Sequence, residues 1–180
     1  MSEEKRAEFN NKMTIRIAVS AILIAVGVVL SYLNPFGYIM IAGTRINPFA
    51  HLINALTGVL LGLSFSIISA LGIAIIRFST NIGTIHAFHG GISGAFVVGV
   101  VSYFLNKKYP KYVEYAAFTE PVGTVFIGGT ITALIEGFTL ANLLFYWWVF
   151  MLASVVGSVL GFIVLKILKD SGFSRKTFSD

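Results

Sequence analysis

The stretch PFAHLINALTGVLLGLSFSIISALGIAII, residues 48–76, decides the fold of this chain. It is apolar over 29 residues, and as a single α-helix it would be about 43 Å long. A bilayer core is about 30 Å thick, so one helix of that length would have to tilt strongly to stay inside it. The triplet Gly62-Leu63-Ser64 offers a break. We therefore predict two shorter helices in this stretch.

Apolar runs on both sides of this stretch predict four more helices that cross a membrane. They cover residues 14–33, 91–105, 117–135 and 142–168. A helix needs roughly 20 apolar residues to span the hydrocarbon core, and these runs approach or exceed that length. The total is six helices if residues 48–76 form two, and five if they form one.

The basic residues favour six helices over five, because cytoplasmic loops of membrane proteins carry an excess of Lys and Arg. Six helices put most of the 13 basic residues on one side: Lys5, Arg6, Lys12, Arg16, Lys107, Lys108, Lys111, Lys166, Lys169, Arg175 and Lys176. Only Arg45 and Arg77 then lie on the other side. We predict an all-α integral membrane protein with six transmembrane helices and cytoplasmic N- and C-termini.

The composition excludes most soluble classes of protein. Of the 180 residues, 56% are apolar and 12% are charged, with a mean hydropathy of +0.85. Soluble domains carry about 25% charged residues. The net charge of +5 comes from clusters between apolar runs, so we expect membrane lipid and no nucleic acid as a partner. We predict one transmembrane domain over 1–180, with cytoplasmic segments at 1–12 and 169–180, in a multi-pass protein of the cell membrane.

Polar residues that a membrane should exclude gather on the predicted outer side. They are His51, Asn54, Arg77, Asn81, Thr84, His86, His89, Glu136, Asn142, Tyr146 and Trp147. His51 and Asn54 are three residues apart and therefore share one face of a helix. Ligand pockets are mostly apolar with a few placed polar groups, so this cluster predicts a site for a small, flat molecule with a polar edge.

Each of these residues also has a structural explanation. His51 and Asn54 could form hydrogen bonds between helices, and Arg77 could cap a helix end and extend to the lipid headgroups. Trp147 could belong to an aromatic belt at the membrane surface. The pair His86-x-x-His89 lacks a third ligand, so we predict no metal site.

Glu120 precedes Pro121, and proline is well tolerated in the first turn of a helix. We therefore predict that the fifth helix begins near residue 117. This start puts Glu120 toward the cytoplasmic side, away from the outer polar cluster, as a charge at a helix N-terminus. Contact between Glu120 and a ligand would require a different helix start.

The sequence contains no HExxH, GxSxG or GxxxxGK[ST] motif, so we predict neither an enzyme nor a cofactor. Ala18, Ala21 and Ala25 line one side of the first helix, with Ala21 and Ala25 in a small-xxx-small spacing. Such spacing lets another helix approach closely. That helix could come from this bundle or from a partner protein.

Three segments, in order, resemble the ThiW family, the thiazole-specific substrate-binding S components of energy-coupling factor (ECF) vitamin transporters. They are HLIN (51–54) leading into ALTGVLLG (55–62), GTIHAFHGGISG (83–94) and EPVGT (120–124). The six predicted helices resemble the S-component bundle. The pair Ala21-x-x-x-Ala25 resembles the motif by which S components dock on their transmembrane coupling subunit. His89 and Ser93 depart from the family pattern, which has prolines there.

The resemblance implies uptake of hydroxyethylthiazole, a thiamine precursor, together with a transmembrane coupling subunit and two ATPase subunits in a prokaryotic cytoplasmic membrane. The thiazole ring would stack on Phe88 or Trp147, while imidazole and amide groups bond its nitrogen and hydroxyl. The predicted binding set is His51, Asn54, Arg77, Asn81, Thr84, His86, Phe88, His89, Glu120 and Trp147. The predicted docking set is Ala18, Ala21 and Ala25.

Three alternatives remain open from the sequence. The chain could be an S component for another small vitamin or precursor, or an autonomous ion-coupled membrane carrier, which would give flux without partner subunits. It could also be a membrane-embedded enzyme that uses Glu120 or Glu136 with a histidine, which would give chemical turnover by the purified chain.

Overall fold

The computed structural model describes residues 3–41 and 44–178, and this part of the chain is almost entirely helical. The helices are α1 (Glu3–Tyr32), α2 (Pro48–Leu60), α3 (Leu63–Ser79), α4 (His86–Lys108), α5 (Pro110–Ile135), α6 (Leu140–Asp170) and α7 (Arg175–Phe178). A 3₁₀ turn (Pro35–Tyr38) and two short antiparallel strands, β1 (Met40–Ile41) and β2 (Thr44–Arg45), connect α1 to α2.

The predicted break inside residues 48–76 is confirmed, because α2 ends at Leu60 and α3 begins at Leu63. Gly62 turns the chain there with a φ of +86°, a backbone conformation that only glycine adopts without strain. The two helices therefore fold back on each other as a pair.

Two arginines hold the end of α2 at this turn. Arg16 of α1 donates a hydrogen bond to the carbonyl of Leu61, and Arg175 of α7 donates one to the carbonyl of Val59 at 3.3 Å. The last carbonyls of a helix lack partners within it, and positive charge is favourable at that end. The turn after α2 thus lies level with the basic residues of both chain ends.

The connection from α1 to α2 is fixed by two asparagines. Asn34 donates to the carbonyl of Ile46 at 2.7 Å, and Asn47 donates to the hydroxyl of Ser31 at 2.7 Å. The side-chain oxygen of Asn47 also accepts from the backbone N–H of Phe49, which caps α2. These bonds set the position of the start of α2.

The prediction that the fifth helix begins near residue 117 is wrong. α5 begins at Pro110 and consists of a 3₁₀ segment (Pro110–Thr119), a π-helical segment (Val122–Gly129) and an α-helical end (Thr130–Ile135). Pro121 has no backbone N–H to donate, and the hydrogen-bond pattern changes at this residue. Glu120 consequently lies inside α5 and not at its start.

Four helices are long and apolar enough to cross a membrane in the described part of the chain. They are the Glu8–Tyr32 part of α1, together with α4, α5 and α6. α2 and α3 are apolar but shorter. The structure therefore supports an all-helical membrane protein with four candidate spans, and the crossing of the membrane by α2 and α3 stays a prediction.

Small residues bring α2 close to its neighbours. A Cβ at Gly157 of α6 would overlap the carbonyl of Pro48, and a Cβ at Gly58 would overlap Val98 of α4. These glycines therefore serve packing inside the bundle. Ala18, Ala21 and Ala25 do not take part in this packing, because all three are exposed on the side of α1 that faces away from the bundle.

Candidate functional site

A small cavity lies where the start of α2, the end of α3, the start of α4 and the first half of α6 meet. Its volume is about 50 Å³, room for only a few water molecules. The polar residues that line it are Asn47, His51, Asn54, Arg77, Thr84 and His86. The remaining walls are apolar or glycine: Ile46, Ala50, Ala70, Ile73, Ala74, Gly83, Ala87, Gly90, Gly91, Val149, Phe150 and Ala153. Apolar walls with a few polar groups are typical of small-molecule sites.

Glu120 organises the polar side of α2 behind this cavity. Its Oε1 atom lies 2.7 Å from Nδ1 of His51, 3.1 Å from Nδ2 of Asn54 and 2.8 Å from Oγ1 of Thr124. The carboxylate oxygen accepts these bonds, so Nδ1 of His51 carries the proton. The Nε2 atom of His51 is then the nitrogen that a ligand can meet.

The expectation that Glu120 lies apart from the outer polar cluster is therefore wrong. The early start of α5 carries Glu120 to the level of His51 and Asn54, and its side chain is fully buried. Glu120 is absent from the cavity wall. It acts on the cavity through His51 and Asn54, whose side chains it orients.

Gly94 makes room for the Glu120 carboxylate between α4 and α5. A Cβ at this position would overlap Oε1 of Glu120 and Oγ1 of Thr124. Gly123 similarly faces the carbonyl of Ser93 too closely for any side chain. The glycines of the 83–94 and 120–124 segments thus allow the two helices to approach and enclose the acid.

Three buried polar atoms at the cavity have no hydrogen-bond partner in the described part of the chain: Nε of Arg77, Oγ1 of Thr84 and Nδ1 of His86. Buried polar groups are normally paired, and exceptions require an explanation such as a ligand. Arg77 is only 8% exposed, which does not fit a side chain that extends to the lipid headgroups. Three residues of the cavity wall thus each carry a buried polar atom that the described part of the chain leaves without a partner.

Four other predicted binding residues lie outside the cavity. On α4, His86, Ala87, Gly90 and Gly91 face it with helical spacing. Phe88 and His89 instead line an apolar groove with Ile127 and Ile131 on α5. Nδ1 of His89 is paired with the hydroxyl of Thr132 at 3.0 Å.

Asn81 and Trp147 also have structural roles. Asn81 is exposed and adopts a φ of +58° in the turn after α3. Nε1 of Trp147 donates to the hydroxyl of Thr130 at 3.0 Å, and its ring packs edge-on against Phe126. The aromatic residue that does line the cavity is Phe150, which the sequence reasoning missed. It lies one helical turn after Trp147 on α6, so the spacing alone could have suggested it.

The loop between α5 and α6 contributes one contact to the cavity wall. Oε1 of Glu136 lies 3.4 Å from Nε2 of His86, and the ring of Tyr146 is 5.9 Å from that of His86. Asn142 is partly exposed and donates to the carbonyl of Gly137 at 2.7 Å. In residues 3–41 and 44–178, no three His, Cys, Asp or Glu side chains come together to hold a metal.

Comparison with known proteins gives one match. The model of the ThiW family, described as thiamine-precursor transporter protein, matches residues 17–171. No curated protein and no solved structure matches the chain. The match covers α2 to α6 with the cavity, and the second half of α1.

Proposed function

Because the chain belongs to the ThiW family of thiamine-precursor transporters, we propose that it is the substrate-binding S component of an ECF-type transporter and that it takes up hydroxyethylthiazole. Membership of a transporter family assigns the chain to transport and not to catalysis. The observation that carries the proposal is the small cavity with its unpaired polar atoms, since an uptake protein must first hold its substrate.

The cavity suits a compact heteroaromatic alcohol. Phe150, Ile73 and Val149 offer apolar surface to one flat ring. Because Nδ1 of His51 carries the proton, its Nε2 can accept from the hydroxyl of the ligand, and the unpaired Thr84 hydroxyl can donate to the ring nitrogen. Nδ1 of His86 is a further unpaired polar atom of a lining residue.

The proposal includes six spans with both termini in the cytoplasm of a prokaryotic cell membrane. α2 and α3 have 13 and 17 residues, which correspond to about 20 and 26 Å of helix. Support comes from the turn at Gly62, which contacts Arg16 and Arg175 near the two chain ends. If α2 and α3 are two short spans, the turn at Gly62 lies on the cytoplasmic side, next to these basic residues.

The exposed alanines of α1 support a docking surface for the coupling subunit. Ala18, Ala21 and Ala25 are not covered by the other helices of the bundle. Small residues of this kind allow the backbone of another helix to come close. We infer that a transmembrane coupling subunit with two ATPase subunits docks there and supplies the energy for release into the cytoplasm.

Calorimetry of the purified chain in detergent tests the proposal directly. Hydroxyethylthiazole should bind tightly, whereas thiamine, its pyrimidine moiety, pyridoxine, biotin and Ni²⁺ should not. Tight binding of another vitamin would retain an S component and reject the thiazole substrate. Substrate flux into proteoliposomes that contain this chain alone would instead favour an autonomous carrier.

A further inference from the structure

Arg77 is the one residue with a permanent charge among those that line the cavity in the described part of the chain. Its side chain is buried, its Nε has no hydrogen-bond partner, and no carboxylate of residues 3–41 and 44–178 forms an ion pair with it. A guanidinium does not lose its proton, and a buried unpaired charge is costly. The protein alone therefore leaves a positive charge to be compensated.

The two carboxylates closest to the cavity wall form other contacts. Oε1 of Glu120 accepts from His51, Asn54 and Thr124, and its buried Oε2 has no partner in the described part of the chain. The Glu136 side chain is 44% exposed and faces Nε2 of His86. Neither acid forms an ion pair with Arg77, and an anionic group inside the cavity would supply one.

The start of α4 adds positive potential at the same place. Gly83, Thr84, His86 and Ala87 line the cavity, and no side chain caps this helix. The N–H groups of Ala87 and Phe88 donate to the carbonyls of Thr84 and Ile85, and the dipole of the helix favours an anion at this end. The unpaired hydroxyl of Thr84 is a further donor there.

We propose that the cavity prefers a ligand with an anionic oxygen group, which pairs with Arg77 at the start of α4. This inference rests on the proposed function, a thiazole-binding S component, and changes its preferred ligand from the neutral alcohol to an anionic thiazole, such as the phosphate monoester of hydroxyethylthiazole or a thiazole carboxylate. Guanidinium binds both groups through paired hydrogen bonds, whereas a neutral hydroxyl accepts a bond without neutralising the charge.

Calorimetry in an uncharged detergent at constant ionic strength tests this preference. The ligands are hydroxyethylthiazole, its phosphate monoester and 4-methylthiazole-5-acetate, each with wild type, Arg77→Gln and Arg77→Lys. At least one anion should bind wild type ten times more tightly than the alcohol does. Arg77→Gln should remove this preference, so that the anions bind no more tightly than the alcohol. Arg77→Lys should be intermediate, because it keeps the positive charge but loses the paired N–H donors of the guanidinium.

Thermal unfolding without ligand separates a binding role from a structural one. An unpaired Arg77 contributes no ion pair, so Arg77→Gln should melt at or above the wild-type temperature. A lower melting temperature for both variants would overturn the inference. Equal affinity of wild type for hydroxyethylthiazole and for both anions would also overturn the inference, and the proposed function would then stand. If no thiazole binds to folded wild-type protein, both proposals fail.

Discussion

Two glycines on α4 differ sharply in what surrounds them, although they are only three residues apart. Gly91 lines the cavity, and a Cβ there would meet nothing within 4 Å. Gly94 is pressed against Glu120 and Thr124. The first glycine therefore leaves open space in the cavity, and the second leaves space for the acid that orients His51.

We predict that Gly91→Leu abolishes ligand binding without a loss of stability. The new side chain would fill the cavity, while leucine favours a helix by up to about 1 kcal/mol over glycine. Gly94→Ala is the matched variant and should lower the free energy of unfolding by about 1–3 kcal/mol, because its methyl group collides with the Glu120 carboxylate. Calorimetry and denaturant unfolding measure the two effects. Tight binding by Gly91→Leu would contradict the location of the site.

His86 and His89 form a second matched pair. We predict that His86→Ala weakens ligand binding about fivefold or more, since a net hydrogen bond is worth about 1 kcal/mol. His89→Ala should leave affinity within about twofold, because His89 faces Thr132 and the groove beside α5. Both are measured by calorimetry on the purified variants. Equal losses in the two variants would mean that the ligand lies between the histidines and not in the cavity.

At the residue scale, the sequence predicts part of the site. His51 and Asn54 follow from their shared helical face, and Arg77 and His86 from their unexpected polarity in a membrane segment. The sequence does not show that His86 lines the cavity while Phe88 and His89 do not, because α4 carries small or apolar residues around most of its circumference. Which face of such a helix turns inward depends on its neighbours and not on its own pattern.

At the scale of elements, the sequence predicts one helix boundary correctly, the break at Gly62, and another wrongly, the start of α5. The break at Gly62 was predictable, because 29 apolar residues are too many for one span. The start of α5 was not, because Pro110 and Pro121 are equally good start signals and residues 110–119 are only weakly apolar. The choice is made by packing of this segment on α4 and α6. That choice brings Glu120 to His51.

We predict that tryptophan on the exposed face of α1 separates binding from transport. Ala21→Trp with Ala25→Trp should abolish uptake by cells that carry the partner subunits, since a large side chain keeps another helix away. Ligand affinity of the purified variant should stay at the wild-type value, because neither alanine lines the cavity. Uptake of labelled substrate and calorimetry measure the two properties.

Phe104→Trp provides the control for this prediction. Phe104 is 63% exposed on α4, so the change adds bulk to a different outer surface of the bundle. Uptake by this variant should match wild type. If the double tryptophan variant of α1 also transports normally, the alanine face has no role in coupling.

At the scale of the whole molecule, composition alone predicts a helical membrane protein, but it cannot predict the cavity. The lining residues come from four helices and from the connections before α2 and α4, spread over residues 46–153, and their convergence depends on which small residues meet. Gly157 against Pro48 and His51, and Gly58 against Val98, bring α6 and α4 onto α2. The sequence shows where these glycines are, but it does not show which residues of other helices they contact.

The membrane topology can be tested cleanly because the chain contains no cysteine, so a single introduced thiol is the only one present. Six spans and four spans differ at the turn after Gly62, which reaches the cytoplasm if α2 and α3 cross and ends inside the bilayer if they form a re-entrant pair. We predict that Ser64→Cys reacts with a membrane-impermeant maleimide in inside-out vesicles and not in intact cells. Thr80→Cys should react only in intact cells, and Lys107→Cys only in inside-out vesicles. A Ser64→Cys thiol that stays unlabelled in both preparations, while these two controls react as stated, would reject the six spans and leave α2 and α3 as a re-entrant pair around the cavity.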